Sequence, residues 1–179
     1  MSFKFVDGMF LRLKMYNYVD LDKVFHICFY GWTRAGKSYV INELLNNYYI
    51  KHIPLKNFII FSPSFSSDEA YKEIWHKMLS TINPDITKIQ NVKSAIDTNF
   101  LKELVGSQYN KKILNDKIEF ENNNNKNQSV FKKNKVKIES YLILIDDCLG
   151  DSKMSGFHSE LSNFCTRSRH SNIVMIWTA

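Results

Sequence analysis

One short segment of the chain combines residue types and spacing that suit it to binding a phosphate group. Residues 31–38, GWTRAGKS, fit the pattern G-x-x-x-x-G-K-S. Glycines let the backbone fold around a phosphate with its N–H groups pointing inward, a lysine can reach the terminal phosphates, and a serine hydroxyl can ligate magnesium. The segment predicts a nucleotide-binding loop in which the Lys37 side chain contacts phosphate and the Ser38 side chain contacts magnesium. The predicted contacts are Gly31, Trp32, Thr33, Arg34, Ala35, Gly36, Lys37, Ser38 and Tyr39.

An acidic pair forms a second candidate site. Asp146 and Asp147 directly follow the apolar run 141–145, YLILI, which has the length of a buried strand. In open α/β sheets, ligands bind at the carboxyl ends of the strands, so this pair is expected beside the phosphate loop. Asp146 is predicted to hold magnesium, directly or through a water, and Asp147 to orient or deprotonate an attacking water. Many ATPases have glutamate at the second position, and the plainer alternative for the pair is a polar turn after a strand.

Two arginines near the end of the sequence leave two interpretations open. Arg167 and Arg169 follow an amphipathic segment and precede the apolar run 172–178. Cations are stabilised at a helix carboxyl terminus by the helix dipole, which is the structural interpretation. The functional one is that Arg169 contacts a phosphate, or reaches a neighbouring subunit's nucleotide as an arginine finger.

The segments between these motifs alternate between strand and helix patterns. Apolar runs of strand length occur at 24–30, 57–62, 141–145 and 172–178, and helical spacing of apolar residues occurs at 40–48, 70–79, 94–105 and 154–165. Ser66 and Glu69 form a predicted capping box before the second helix. This alternation predicts an α/β fold with a mainly parallel sheet in a core covering 21–179. Residues 1–20, with a turn at Asp7-Gly8, are predicted to form an N-terminal hairpin flap.

A Lys/Asn-rich insertion is predicted at about 107–140. Its composition buries too little apolar surface to offset the entropy of ordering, so we expect a mobile loop near 121–136. Its lysines could contact DNA phosphates or could simply be solvated.

Composition limits the classes of protein that the chain could be. With 179 residues, 44% of them hydrophobic, it can bury one sizeable core. A net charge of +6 suits an anionic partner, although it also suits solubility alone. Its 3 cysteines lie in apolar segments without metal-ligand spacing, so we expect core thiols in a reducing compartment. The sequence shows neither a signal peptide nor an apolar run long enough to span a membrane.

Three segments carry a family resemblance. Residues 29–38, 142–147 and 166–179 resemble the poxvirus-type genome-packaging ATPases of large DNA viruses, in the FtsK/HerA superfamily of P-loop NTPases. The last segment is the most specific of the three, because an Arg-His pair entering a strand that ends in threonine is similar to that viral branch. The resemblance spans about residues 22–179, apart from the insertion.

The resemblance implies a three-layer sandwich whose four long strands have the order 1-4-3-2, with a fifth strand beyond the first. It also implies ATP and Mg²⁺ as cofactors, a homo-oligomeric ring around double-stranded DNA, capsid or portal partners, and location in the host cytoplasm, a viral factory or the virion. Such proteins carry a polar sensor and a further strand after the position of Thr178 and Ala179, so we expect a C-terminally truncated ATPase.

Two other functions fit the same residues. A truncated subunit could bind nucleotide without turnover, since the expected sensor is missing. A GTPase-type switch is the other, because residues 147–150, DCLG, fit the pattern D-x-x-G.

Overall fold

A parallel five-stranded sheet forms the centre of the computed structural model, which describes residues 26–32, 34–82, 91–124, 133–148, 164 and 167–178. The strands are β1 (His26–Phe29), β2 (Phe58–Phe61), β3 (Val92–Lys93), β4 (Tyr141–Ile145) and β5 (Ile173–Thr178). Their order is β1-β5-β4-β2-β3, and every pairing is parallel. The predicted hairpin at 1–20, Thr33, Ala179 and nearly all of the helix predicted at 154–165 lie outside the described residues.

The sheet confirms the predicted α/β class and the predicted order of the four long strands. The last strand of the chain, β5, lies between β1 and β4, so that Thr178 pairs with Phe29 on one side and Trp177 pairs with Ile145 on the other. The sequence missed β3, because its two residues follow no apolar run. Strands β2 and β4 are buried on both faces of the sheet, which explains why their sequences are unbroken runs of apolar residues.

Among the described residues, three α-helices cover the two faces of the sheet: α1 (Lys37–Asn47), α2 (Lys72–Ile82) and α3 (Thr98–Asn124). Residues of α1 and α2 pack on one face in a cluster that includes Ile41, Leu45, Ile74 and Met78. On the opposite face, Leu101 and Val105 of α3 pack in a second cluster with alternate residues of β2, β4 and β5. The result is the predicted three-layer sandwich. Among the described helices, none is sufficiently long and apolar to cross a membrane.

The Lys/Asn-rich segment is more ordered than the sequence predicts. Helix α3 has 27 residues and continues well past the predicted helix 94–105, to Asn124. Asn115 exchanges two hydrogen bonds of 2.7 Å with the backbone of Val136, and Asn122 exchanges bonds of 2.9 and 3.0 Å with that of Lys133. Residues 121–124 are therefore helical rather than part of the predicted loop, 133–136 have no helix or strand but are hydrogen-bonded to α3, and 125–132 lie outside the described residues.

Geometry explains why asparagines can hold this segment. Asn115 and Asn122 are seven residues apart on a helix, about 10.5 Å along its axis. Lys133 and Val136 are three residues apart, and three residues of chain can span about 10 Å when extended. The two spacings match, so both asparagine side chains can satisfy backbone groups of the same segment at once. Residue composition alone does not reveal this match.

The cysteines depart from the predicted core environment at one position. Cys148 is buried, and its thiol donates to the Phe61 carbonyl at 3.3 Å. Cys28 is exposed, since it lies on β1, and among the described strands β1 has a neighbour on one side only. Cys165 lies outside the described residues.

Candidate functional site

The predicted phosphate loop connects β1 to α1 at the edge of the sheet where the strands end, here called the carboxyl edge. Arg34 and Gly36 adopt positive φ angles of 66° and 81°, and the Ala35 N–H donates to the Trp32 carbonyl at 3.1 Å. Gly36 is the N-cap residue of α1, and within the described residues no side chain caps this helix. The first N–H groups of α1 can therefore face an anion, which the helix dipole also favours.

Gly36 is required for its backbone conformation rather than for close packing. A Cβ atom built at this position would meet nothing within 4 Å. A side chain would still be strained at φ 81°, a conformation that glycine adopts readily. The open space above Gly36 is where a phosphate held by these N–H groups would lie.

Lys37 lies against the loop that it follows. Its Nζ donates to the Gly31 carbonyl at 2.6 Å and to the Trp32 carbonyl at 3.3 Å. An ammonium group has three N–H donors, so one remains for a phosphate oxygen. Trp32 in the loop is 90% exposed, and Tyr30 and Tyr39, which flank the loop, are 80 and 59% exposed.

Asp146 is a buried carboxylate at the carboxyl end of β4, with 2% of its surface exposed. The Thr178 hydroxyl donates to its Oδ1 at 2.7 Å, and the Tyr71 hydroxyl donates to its Oδ2 at 2.7 Å. Burial raises the pKa of Asp146 above its ordinary value, although these two hydrogen bonds oppose the shift. The charges of Asp147 and Asp68 raise this pKa further, so a cation at this edge would relieve their repulsion.

Tyr71 lies between the phosphate loop and the acidic pair. Its hydroxyl donates to Asp146 Oδ2 at 2.7 Å and lies near the Ser38 side chain. A phenol has one hydrogen, and Asp146 receives it. Burial, followed by the charge of Asp146, raises the pKa of Tyr71 far above its ordinary range, so that Tyr71 remains protonated.

Asp147 differs from its neighbour in both exposure and backbone. Its side chain is exposed, and its φ is 54°, in the left-handed region. Its N–H donates to the Thr178 hydroxyl at 3.2 Å. Aspartate is enriched among non-glycine residues with positive φ, whereas longer side chains tolerate it less well. This backbone favours aspartate over the glutamate that many ATPases have at this position.

The structure thus brings Lys37, Ser38, Asp146 and Asp147 to one edge of the sheet. The backbone of Arg169 lies elsewhere. It begins the short 3₁₀ helix Arg169–Ser171, which precedes β5. That position is at the opposite edge, about 20 Å away along the six residues of β5. Arg167 is exposed, and its backbone lies at the same far edge.

Sequence reasoning missed Tyr71, Thr178 and Asp68 as members of this site. The helical spacing of apolar residues at 70–79 predicts that the Tyr71 ring is buried, which is correct. That prediction says nothing about which group the Tyr71 hydroxyl binds. The sequence carries no signal for that hydroxyl's partner, because Tyr71 and Asp146 are 75 residues apart. Thr178 had a weak signal, as a polar residue that ends an apolar strand.

The residues at this edge fit a magnesium ion bound together with a nucleotide. Mg²⁺ commonly uses one or two protein oxygens and completes its coordination with phosphates and water. Ser38 and Asp146 carry two such oxygens, and Tyr71 donates to Asp146 and lies near Ser38. The described residues contain no cluster of three or more His, Cys, Asp or Glu, so a metal held by protein side chains alone is not indicated within them.

Comparison with known proteins gives one structural match. No family profile and no curated protein matches the sequence. The fold is similar to that of the pCW3 conjugation coupling protein TcpA, whose monomer form was solved with ATPγS. The match has 15% sequence identity and a TM-score of 0.47, and it covers 89% of this chain and 44% of the TcpA chain. The function proposed below depends on the geometry of this chain.

Proposed function

We propose that this protein is a P-loop ATPase that binds ATP with Mg²⁺ and hydrolyses it. One observation carries the proposal: the phosphate loop and the buried Asp146 meet at the same edge of a parallel sheet, where Tyr71 donates to Asp146 and lies near Ser38. A glycine turn without a ligand would not require a buried carboxylate beside it. Burial of such a charge costs free energy, and it is commonly retained for function.

In this proposal the chain positions the phosphates and the water. N–H groups of the loop and of the first turn of α1 hold the phosphates, and the Lys37 ammonium donates to a terminal phosphate oxygen. Ser38 and Asp146 would hold Mg²⁺, which would offset the negative charge of the phosphates. The exposed carboxylate of Asp147 orients the attacking water and accepts its proton as the bond from water oxygen to phosphorus forms and the bond to the leaving oxygen breaks.

The finer proposal is a motor subunit that packages double-stranded viral DNA into capsids. Its support is the resemblance of residues 29–38, 142–147 and 166–179 to viral packaging ATPases, together with the net charge of +6. Arg169 lies at the far edge from its own chain's site, so any contact with nucleotide would be made in a neighbouring subunit of a ring. Capsid or portal partners, and action in the host cytoplasm or a viral factory, follow from the same resemblance.

Substitution of the loop lysine tests the ATPase. Lys37→Ala should weaken ATP binding by more than tenfold and abolish phosphate release, because it removes the donor to the terminal phosphates. Lys51→Ala, at an exposed position outside the site, is the matched control. Isothermal titration calorimetry and a phosphate-release assay measure both effects. Equal binding by wild type and Lys37→Ala would contradict the proposal.

Added nucleic acid and competing nucleotides separate the finer alternatives. A DNA motor should show phosphate release that is stimulated by double-stranded DNA and lost in Lys37→Ala. ATP binding without any release would indicate a nucleotide-binding subunit. Stronger competition by GTP than by ATP would instead support the GTPase-type switch.

A further inference from the structure

Tyr71 occupies a rigid position between the two halves of the proposed site. It ends the 3₁₀ helix Glu69–Tyr71, which leads directly into α2. The Asp68 side chain accepts a hydrogen bond of 2.9 Å from the Ala70 N–H, so Asp68 caps this turn in place of the predicted Ser66. The Tyr71 ring is fully buried and stacks on Phe65 with 4.7 Å between ring centroids. Packing therefore fixes the direction of the hydroxyl.

That hydroxyl lies where three separate segments meet. Ser38 lies in the first turn of α1, Asp146 follows β4, and Tyr71 precedes α2. The 2.7 Å bond to Asp146 Oδ2 complements the bond from Thr178 to Oδ1, so each oxygen of the carboxylate has a hydroxyl donor. A carboxylate held at both oxygens has little freedom to rotate. Ser38 lies near the Tyr71 hydroxyl.

We propose that Tyr71 is a positioning residue that holds Asp146 in register with Ser38 for the magnesium ion of a bound nucleotide. The proposal rests on the function proposed above and adds a residue that neither the phosphate loop nor the acidic pair contains. Mg²⁺ requires nearly octahedral coordination, so ligand oxygens held in place beforehand lose less freedom when the ion binds. Groups that orient metal ligands typically contribute about 10–100-fold to metal affinity.

Tyr71→Phe isolates the hydroxyl because it keeps the buried ring and its stacking on Phe65. The measurement is the dissociation constant for ATPγS by calorimetry, once in EDTA and once with saturating Mg²⁺. The ratio of the two constants reports the coupling between magnesium and nucleotide. We expect Tyr71→Phe to leave the EDTA value unchanged and to reduce the gain from Mg²⁺ by about tenfold.

Tyr49→Phe is the matched control. Tyr49 is also fully buried, and its hydroxyl has no hydrogen-bond partner among the described residues. Its substitution should change neither constant. Thermal unfolding of both variants checks that each remains folded.

The remaining outcomes overturn the inference in distinguishable ways. An unchanged or larger gain from Mg²⁺ in Tyr71→Phe would show that the hydroxyl does not position the ligands. Equal weakening in EDTA and in Mg²⁺ would assign Tyr71 a purely structural role. Failure of the wild type to bind ATPγS under either condition would refute the proposed ATPase itself, and the role of Tyr71 with it.

Discussion

The carboxyl edge around Asp146 and the outer part of α3 are both held together by polar side chains, but in opposite environments. At the carboxyl edge, Tyr71 and Thr178 bond to a carboxylate that is 2% exposed. On α3, Asn115 and Asn122 bond to backbone groups of 133–136 at positions where water can compete. The same type of bond therefore has different consequences, because a broken bond is replaced by water at α3 and leaves an unsatisfied group at Asp146.

The acidic groups of the two regions show the same contrast in their pKa values. Burial raises the pKa of Asp146. Glu119 on α3 is exposed, and a hydrogen bond of 2.7 Å from Lys135, together with its charge, lowers the pKa of Glu119. The ionised form of Asp146 thus opposes folding, whereas that of Glu119 supports it. A fold retains the first kind of group when chemistry requires it, which is consistent with the proposed site.

The largest effect on stability is expected from Thr178→Val at the carboxyl edge. The change preserves shape but removes the donor to Asp146 Oδ1 and the acceptor for the Asp147 N–H. We expect a loss of about 1–3 kcal/mol in the free energy of unfolding, measured by denaturant titration. Thr178→Ser keeps the hydroxyl and should lose much less. Similar losses in both variants would show that the methyl group, not the hydroxyl, is responsible.

A smaller loss is expected from Asn115→Ala on α3. The substitution removes both bonds to the Val136 backbone, whose groups can then bind water. Alanine also favours a helix over asparagine, so exposed Asn110→Ala in the same helix serves as the reference. Relative to it, we expect a loss of about 1 kcal/mol by denaturant titration. A loss as large as that of Thr178→Val would remove the distinction between the two regions.

The smallest effect is expected at Glu119, whose ion pair with Lys135 is exposed. Because its folded pKa is lowered, its contribution to stability is present above the unfolded pKa and is lost as pH falls through the folded pKa. Lys135→Ala should return the pKa of Glu119 toward 4.5, as followed by NMR titration. Salt should have a similar effect in the wild type, since screening weakens exposed pairs. If neither Lys135→Ala nor added salt changed the pKa of Glu119, the ion pair would be ruled out as the cause of its lowered pKa.

Much of the fold followed from local patterns, while the site followed only in part. Apolar runs such as 141–145 identify buried strands, and the glycines and Lys37 identify the loop, because each signal lies within a few neighbouring residues. Strand β3 was not predicted, because two residues are too few to show an alternating or continuous apolar pattern. The continuation of α3 to Asn124 was not predicted either, because the hydrogen bonds that hold it come from Lys133 and Val136, which lie beyond the helix in the sequence.

By itself, the sequence determined the class of fold and the residues Lys37, Ser38, Asp146 and Asp147 as a candidate phosphate and metal site, while the order of the long strands was implied by the family resemblance. Only the tertiary structure decided that Tyr71 and Thr178 hold Asp146, that Asp147 has a left-handed backbone, and that Arg169 lies at the far edge. The physical reason is how far apart the interacting residues lie in the sequence. Periodicity and loop motifs encode interactions between near neighbours, whereas the partners of Asp146 are 75 and 32 residues away and meet it only when the sheet has formed.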